Sequence, residues 1–428
     1  MAASARRSNR PRSADFTTPL TIPGGAVAGA DVVRELAPEV ALPVWQTLRS
    51  VLTWAAEEPA LRGDLFEPCA MADWERQLLL ESWEPDVRSA LAVLVGELAK
   101  PAQASLETIA HACLCVTDWA LERGHVTTGL AFAEAAALSW PQQPRYSWTA
   151  GRLLRIHGRP REAEQWLKRA EKAATTAGDW EARTLALNSL GNSYYEAGDY
   201  RRAATTQRQA LRGARKHRLK QREGEVLHDL YVATWYMGAT TEAEEYARAA
   251  LDIYKTGHDR LPALAHDVAF SWVAQGHYGR ALRILRELQG YFDDPHERIR
   301  VLASTARAAG GSGESSVFSE VAAEIWSLAE QPDGGPGVGA ALVELARGAS
   351  SLEQWDLAER SLSKALEVAL ARAEADVQTQ AGEALESIRA QRAAAPYRSN
   401  LDIVPLARLD ALANGFVSSL RTVRREAA

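Results

Sequence analysis

Residues 111–115, HACLC, carry His111, Cys113 and Cys115, and helical spacing puts His111 and Cys115 on one face with Cys113 turned away. Zinc usually takes four ligands, commonly from turn-separated pairs. The only other cysteine is Cys69, so no second pair exists, and Cys113 reads as a small packing residue. His228-Asp229, His258-Asp259 and His266-Asp267 are the dipeptides that metal phosphohydrolases use. Positions 228 and 266, however, fall at the same place in successive units of the repeat described below, which explains two of the three. GSGES (311–315) and GGPGVG (334–339) have the glycines of nucleophile elbows and phosphate loops. Both motifs need a strand before the turn, and no alternating apolar/polar segment precedes either one. No HExxH, Walker A or dinucleotide fingerprint occurs. The residues therefore point to no enzyme, no metal and no cofactor.

The bulk properties bound the class of protein. The chain of 428 residues is 46% hydrophobic and 24% charged, enough for a large core. A net charge of −6 argues against nonspecific nucleic-acid binding by the whole chain and leaves room for a local basic patch. Three cysteines build no disulfide framework, which suits a cytoplasmic setting. No apolar run reaches the roughly 18–20 residues of a membrane span, and no apolar segment follows Arg6, Arg7, Arg10 and Arg12 as it would in a secretory signal. Abundant Ala and Arg with few Lys fits a GC-rich bacterial genome.

The elements that position these residues are helices. Residues 1–30 are rich in Ser, Arg, Pro and Gly without periodicity and read as a disordered tail. Residues 31–104 show helical patterning, as in Val44, Leu48, Val51, Leu52 and Ala55, and are either degenerate repeats or an N-terminal capping bundle. From 105 to 390 the chain repeats. Gly124, Gly158, Gly198, Gly238 and Gly276 recur at 34, 40, 40 and 38 residues, with Ala163, Ala203, Ala243 and Ala281 five residues after the last four. A sixth unit keeps Trp355, Ala358, Ala365 and Leu366 but has Glu353 in place of the turn glycine. Each glycine ends one helix in the left-handed conformation. Each alanine marks a close helix crossing. Glycine-rich stretches at 308–316 and 331–339 read as flexible loops.

Unit 184–217, with Leu190-Gly191, Tyr194, Gly198-Asp199-Tyr200, Ala203 and Ala210-Leu211, resembles the tetratricopeptide repeat (TPR). Unit 144–177 shows Gly151, Leu154, Gly158, Ala163 and Ala170, and unit 110–143 departs from the pattern with Gly129 and Pro141. The resemblance implies an all-α fold, a right-handed superhelical array of antiparallel helix pairs forming a TPR-like solenoid. It also implies a concave face that binds a protein or peptide. The inward first-helix positions are Arg145, Trp148, Arg152 and Arg155; Asn188, Asn192 and Tyr195; His228, Trp235 and Tyr236; and His266 and Phe270. Amides suit an extended backbone, arginines fork onto carboxylates, and aromatics anchor apolar side chains. The expected function is a scaffold or adaptor for a protein or peptide segment, with acidic groups on the ligand open. The alternatives are a signal-peptide-sensing regulator and a structural subunit of a larger assembly. No nucleic acid or membrane partner is expected.

Residues 391–428 read as a hinge followed by a helix. Leu406, Leu409, Ala413, Phe416, Leu420 and Val423 form an apolar seam on one face. The seam suits a cap over the exposed face of the last repeat, and it leaves a homodimer through this helix open.

Overall fold

Gly124, Gly158, Gly198, Gly238 and Gly276 have φ of +78°, +74°, +78°, +81° and +81°, so each expected turn is made in the left-handed region that favours glycine. Glu353, at the sixth turn, takes a φ of +59°. The computed structural model describes residues 30–255, 257–292, 294–331, 335, 337–389 and 406–427, and among these the regular structure is helical, with no strand. The expected tail and hinge lie outside the described residues. The chain divides into two units, Met1–Gly198 and Asp199–Ala428.

The first unit holds α1 (Ala30–Glu35), α2 (Pro38–Ala56), α3 (Pro68–Leu80), α4 (Pro85–Leu98), α5 (Leu106–Glu122), α6 (Val126–Ser139), α7 (Pro144–Ile156), α8 (Pro160–Ala177) and α9 (Trp180–Glu196), with a 3-10 turn at Pro59–Asp64. Helices α5 with α6 and α7 with α8 are antiparallel pairs, and α9 packs on both α8 and α7. Gly151 on α7 lets α8 pack closely, because a Cβ there would lie 2.7 Å from Leu167 Cγ. The segment before α5 departs from regular pairing: α2 packs on α4 and α6, and α3 packs on α4. Helix α1 braces this arrangement through Glu35. Its carboxylate accepts from the Thr127 and Thr128 N–H groups at 2.8 and 2.7 Å and from the Thr128 hydroxyl at 2.7 Å. The start of α6, where the His125 side chain makes no cap bond, is thereby satisfied by a charge favourable to the helix dipole.

The second unit holds α10 (Tyr200–Lys216), α11 (Lys220–Tyr236), α12 (Thr240–Tyr254), α13 (Leu261–Ala274), α14 (Tyr278–Leu288), α15 (Pro295–Ser312), α16 (Ser315–Ala329), α17 (Val338–Ser351), α18 (Trp355–Ala371), α19 (Ala375–Arg389) and α20 (Leu406–Ala427). Pairs α11/α12, α13/α14, α15/α16 and α17/α18 follow one another. First helices contact first helices: α11 meets α13, α13 meets α15, and α15 meets α17. The recurring small positions Ala203, Ala243, Ala281 and Ala358 are buried with essentially no exposure, as expected where larger side chains would force neighbouring helices apart.

The first glycine-rich stretch departs from the expected flexible loop. Residues 308–312 are not a flexible loop but the last turns of α15, and only Gly313-Glu314 separates α15 from α16. The glycines serve contact instead. A Cβ on Gly310 would sit 2.3 Å from Gly348 O on α17, and one on Gly311 would sit 2.4 Å from the Tyr278 ring. In the second glycine-rich stretch, 332–334 and 336 lie outside the described residues, and α17 already begins at Val338.

The C-terminal helix does not cap the last repeat. It docks on α14, with further contacts to α12 and α13, and buries Leu409, Leu412, Ala413, Phe416 and Leu420. Arg280 forks onto Asp410 at 2.7 and 3.1 Å, and Arg421 pairs with Glu287 at 2.6 Å. Leu406 stays 55% exposed, so the seam is only partly consumed at its start.

Candidate functional site

Side chains on α7 recur every three to four residues, so Arg145, Trp148, Arg152 and Arg155 form one stripe. Trp148 is half-buried, and its indole N–H donates to Ser189 Oγ on α9 at 2.9 Å. The Arg152 guanidinium lies 5.6 Å from the Trp148 ring centre, a cation–π arrangement. Arg155 makes an ion pair with Glu196. Burial pushes the Glu196 carboxyl up, while Arg155 works against that rise. Among the described residues Arg152 makes no ion pair, so its charge is answered only by an aromatic face. Asn192 and Tyr195 on α9 are half-exposed beside this stripe, whereas Asn188 is 8% exposed and belongs to the packing. Arg145 is exposed, with its guanidinium 5.3 Å from the Tyr146 ring centre.

In the second unit the sequence-expected residues divide the same way. His228, Trp235 and His266 are buried at 2%, 3% and 4% exposure, while Tyr236 and Phe270 are half-exposed. Tyr236 stacks on Tyr200 with ring centres 5.2 Å apart, and Trp235 meets Phe270 edge-on at 6.0 Å. Eight of the twelve expected residues therefore keep accessible surface. The other four are buried, and of these His228, Trp235 and His266 meet the next first helix.

Two of the His-Asp dipeptides make bonds across repeats, whereas His258 pairs with its own neighbour Asp259 at 2.8 Å. His228 lies 2.9 Å from Asp267 Oδ2 on the next first helix, and Asp229 pairs with Arg260 at 3.0 Å. His266 lies 3.2 Å from Ser304 Oγ. Desolvation opposes ionisation of Asp267, but hydrogen bonds and charge from His228 and His266 outweigh it and hold this carboxyl well below the usual carboxylate range. Burial also pushes the His258 imidazole down; it stacks on Tyr254 at 4.1 Å. In the HACLC segment, Cys113 is wholly buried and burial raises its thiol, while Cys115 Sγ lies 3.9 Å from His111 Nε2 at the surface. Among the described residues no group of three or more His, Cys, Asp and Glu is placed to hold a metal.

Two contributors escaped the sequence. Asp267 was visible only as half of a dipeptide, and its partner stands 39 residues upstream. Arg307 on α15 is 5% exposed and donates to Arg347 O at 2.8 Å, Ser351 Oγ at 3.3 Å and Tyr278 Oη at 3.2 Å. Nothing in its local sequence marks it as a buried cation held by neutral acceptors.

Residues 184–217, running from α9 into α10, match the family model described as a tetratricopeptide repeat. No curated protein sequence matches the chain. Among solved structures, the fold is similar to a signal-transduction ATPase with numerous domains and a tetratricopeptide repeat sensor from Pyrococcus horikoshii, at 15% identity and a TM-score of 0.50 over 73% of this chain and 55% of that one. The apo form of RapI aligns at 10% identity, with a TM-score of 0.48 over 81% of this chain and 98% of that one. PilF of Pseudomonas aeruginosa aligns at 16% identity, with a TM-score of 0.41 over 52% and 93%. At 15% identity the first likeness speaks of fold alone, and the other two, with TM-scores below 0.5, carry no argument. Among the described residues no helix is long and apolar enough to cross a membrane.

Proposed function

We propose that this chain, whose residues 184–217 match a tetratricopeptide repeat, is a scaffold whose first-helix face binds a protein or peptide segment. The observation that carries this reading is Arg152. It is a half-buried cation without an ion pair among the described residues, and it sits against Trp148 beside the accessible Asn192 and Tyr195. A carboxylate on the ligand meets the guanidinium, an apolar side chain rests on the indole, and the Asn192 amide serves the ligand backbone. The residues that remain accessible in the second unit, Tyr236 and Phe270, offer aromatic surface of the same kind.

The test is selection of a random peptide library on the full chain. Enriched peptides should carry an acidic residue near an apolar one. Arg152→Glu should weaken their binding by tenfold or more, with an effect that shrinks as salt rises. Asn192→Ala should cost about 1–2 kcal/mol. If both variants bind the selected peptides as the parent does, the ligand does not use this face.

A further inference from the structure

Residues 200–222 hold nine Arg and Lys without one Asp or Glu, in a chain whose net charge is −6. The whole-chain charge conceals this local excess. Most of these cations belong to α10. Its inner side buries Ala203, Ala204, Ala210, Leu211 and Ala214. At helical spacing Arg201, Thr205, Arg208, Arg212, Arg215 and Lys216 fall within a stripe about 100° wide on the other side. Arg201, Arg212, Arg215 and Lys216 are exposed, and Arg208 is half-buried. The stripe runs about 22 Å at 1.5 Å per residue.

An ordinary solvated face does not account for it. Helix α8 interleaves its signs, with Arg161, Glu164, Lys168, Glu171 and Lys172 along its length. On α10 the pairs Arg208/Arg212 and Arg212/Lys216 place like charges four residues apart, which disfavours the helix. Arg201 and Arg202 stand in the first turn, where the helix dipole disfavours cations. Neighbouring acids neutralise only part of the excess: Arg208 meets Glu242 at 2.7 Å, and Arg215 and Lys220 share Glu223 at 2.9 and 2.8 Å. Among the described residues Arg201, Arg212, Lys216 and Arg218 form no ion pair.

We propose that this stripe binds the phosphate backbone of a nucleic acid, without reading its sequence. The exposed side of α10 carries no apolar or aromatic anchor, so it lacks what a protein partner needs for a buried hot spot. Its cations lie in a line, with Arg208, Arg212 and Lys216 at about 6 Å intervals. A line follows a strand of phosphates, whereas a lipid surface calls for a plane. Thr205 and Gln209 interleave hydrogen-bonding groups of the kind that contact phosphate and sugar.

The experiment is fluorescence anisotropy of the full chain with labelled mixed-sequence oligonucleotides of about 20 units, single-stranded and duplex, at about 50 mM salt and upward. Polyglutamate and phosphatidylglycerol vesicles serve as rival polyanions. Binding of either oligonucleotide is expected, with log K falling against log salt at a slope of about −2 to −4, as three to five phosphate contacts require. Arg212→Glu combined with Lys216→Glu should lower affinity about tenfold or more and flatten that slope. The neutral pair Arg212→Gln with Lys216→Gln should give a smaller loss in the same direction, which guards against an effect of misfolding. Arg424→Glu with Arg425→Glu, an equal charge change on α20, should leave most of the affinity. The proposal is overturned if neither oligonucleotide binds, if the α20 pair loses as much as the α10 pair, or if polyglutamate or vesicles bind more tightly than nucleic acid.

Discussion

Gly310 on α15 faces Gly348 on α17 so closely that a Cβ at 310 would lie 2.3 Å from the Gly348 carbonyl oxygen and 2.4 Å from its Cα. The obstacle is backbone, which cannot rotate away. Gly310→Ala should therefore push two first helices apart and destabilise the second unit by about 1–3 kcal/mol or more. Gly382, within α19, has nothing within 4 Å of its missing Cβ. There the same substitution should stabilise by about 0.5–1 kcal/mol through helix propensity and a less free unfolded chain. Denaturant midpoints of the two variants should move in opposite directions, and a shift of the same sign would refute the contact.

The Asp267 carboxyl titrates below its unfolded value in the native protein. A depressed carboxylate adds stability that is full above the unfolded value, near pH 4, and is lost as pH falls through the native value. Asp267→Asn should cost about 1–2 kcal/mol at neutral pH, a modest figure because the side chain stays 30% exposed and is partly screened. The gap between parent and variant should narrow as the pH is lowered below about 4. Urea melts at several pH values check this, and a constant gap would contradict the assignment.

Glu35 supplies three hydrogen bonds to the start of α6 from a helix far back in the sequence. Glu35→Ala should destabilise the first unit by about 1–2 kcal/mol. Hydrogen exchange should show the loss concentrated at the Thr127 and Thr128 amides. Unchanged protection there would mean that water replaces the carboxylate without cost.

Phe416 on α20 is fully buried against its own chain. Phe416→Asp should release the helix, lower stability by several kcal/mol (about 3–5 for losing such a side chain) and expose the C-terminal segment to proteolysis. Sedimentation should give the same mass before and after, because the seam is engaged within one chain. A fall from dimer to monomer would instead show that the helix joins two copies.

Legibility in the sequence followed the range of the interaction. Turn glycines at 158, 198 and 238 and packing alanines at 203 and 243 act within one helix pair, so a periodic pattern exposes them. Gly310 misled because glycine serves both loops and close helix crossings, and only the partner helix distinguishes the two. The seam of α20 was readable as a buried face, but its docking site was not, since an apolar face does not name what covers it. On the candidate face, helical spacing placed Trp148 and Arg152 together correctly. The same spacing could not separate Trp235, sealed by Tyr236 and Phe270, from residues that keep accessible surface.

The return of α20 to α14 changes how this array can fold and come apart. Stacked repeats touch only their neighbours, so they can fray one at a time from an end. Here the Arg280–Asp410 bond spans 130 residues and encloses α15 through α19 in a closed circuit of chain. Closing that circuit costs loop entropy that nearest-neighbour stacking never incurs, so the clasp should form late, after α12 to α14 present its seat. Once formed, it makes loss of the intervening repeats a concerted event: the C-terminal end of the array is held from a point well inside it.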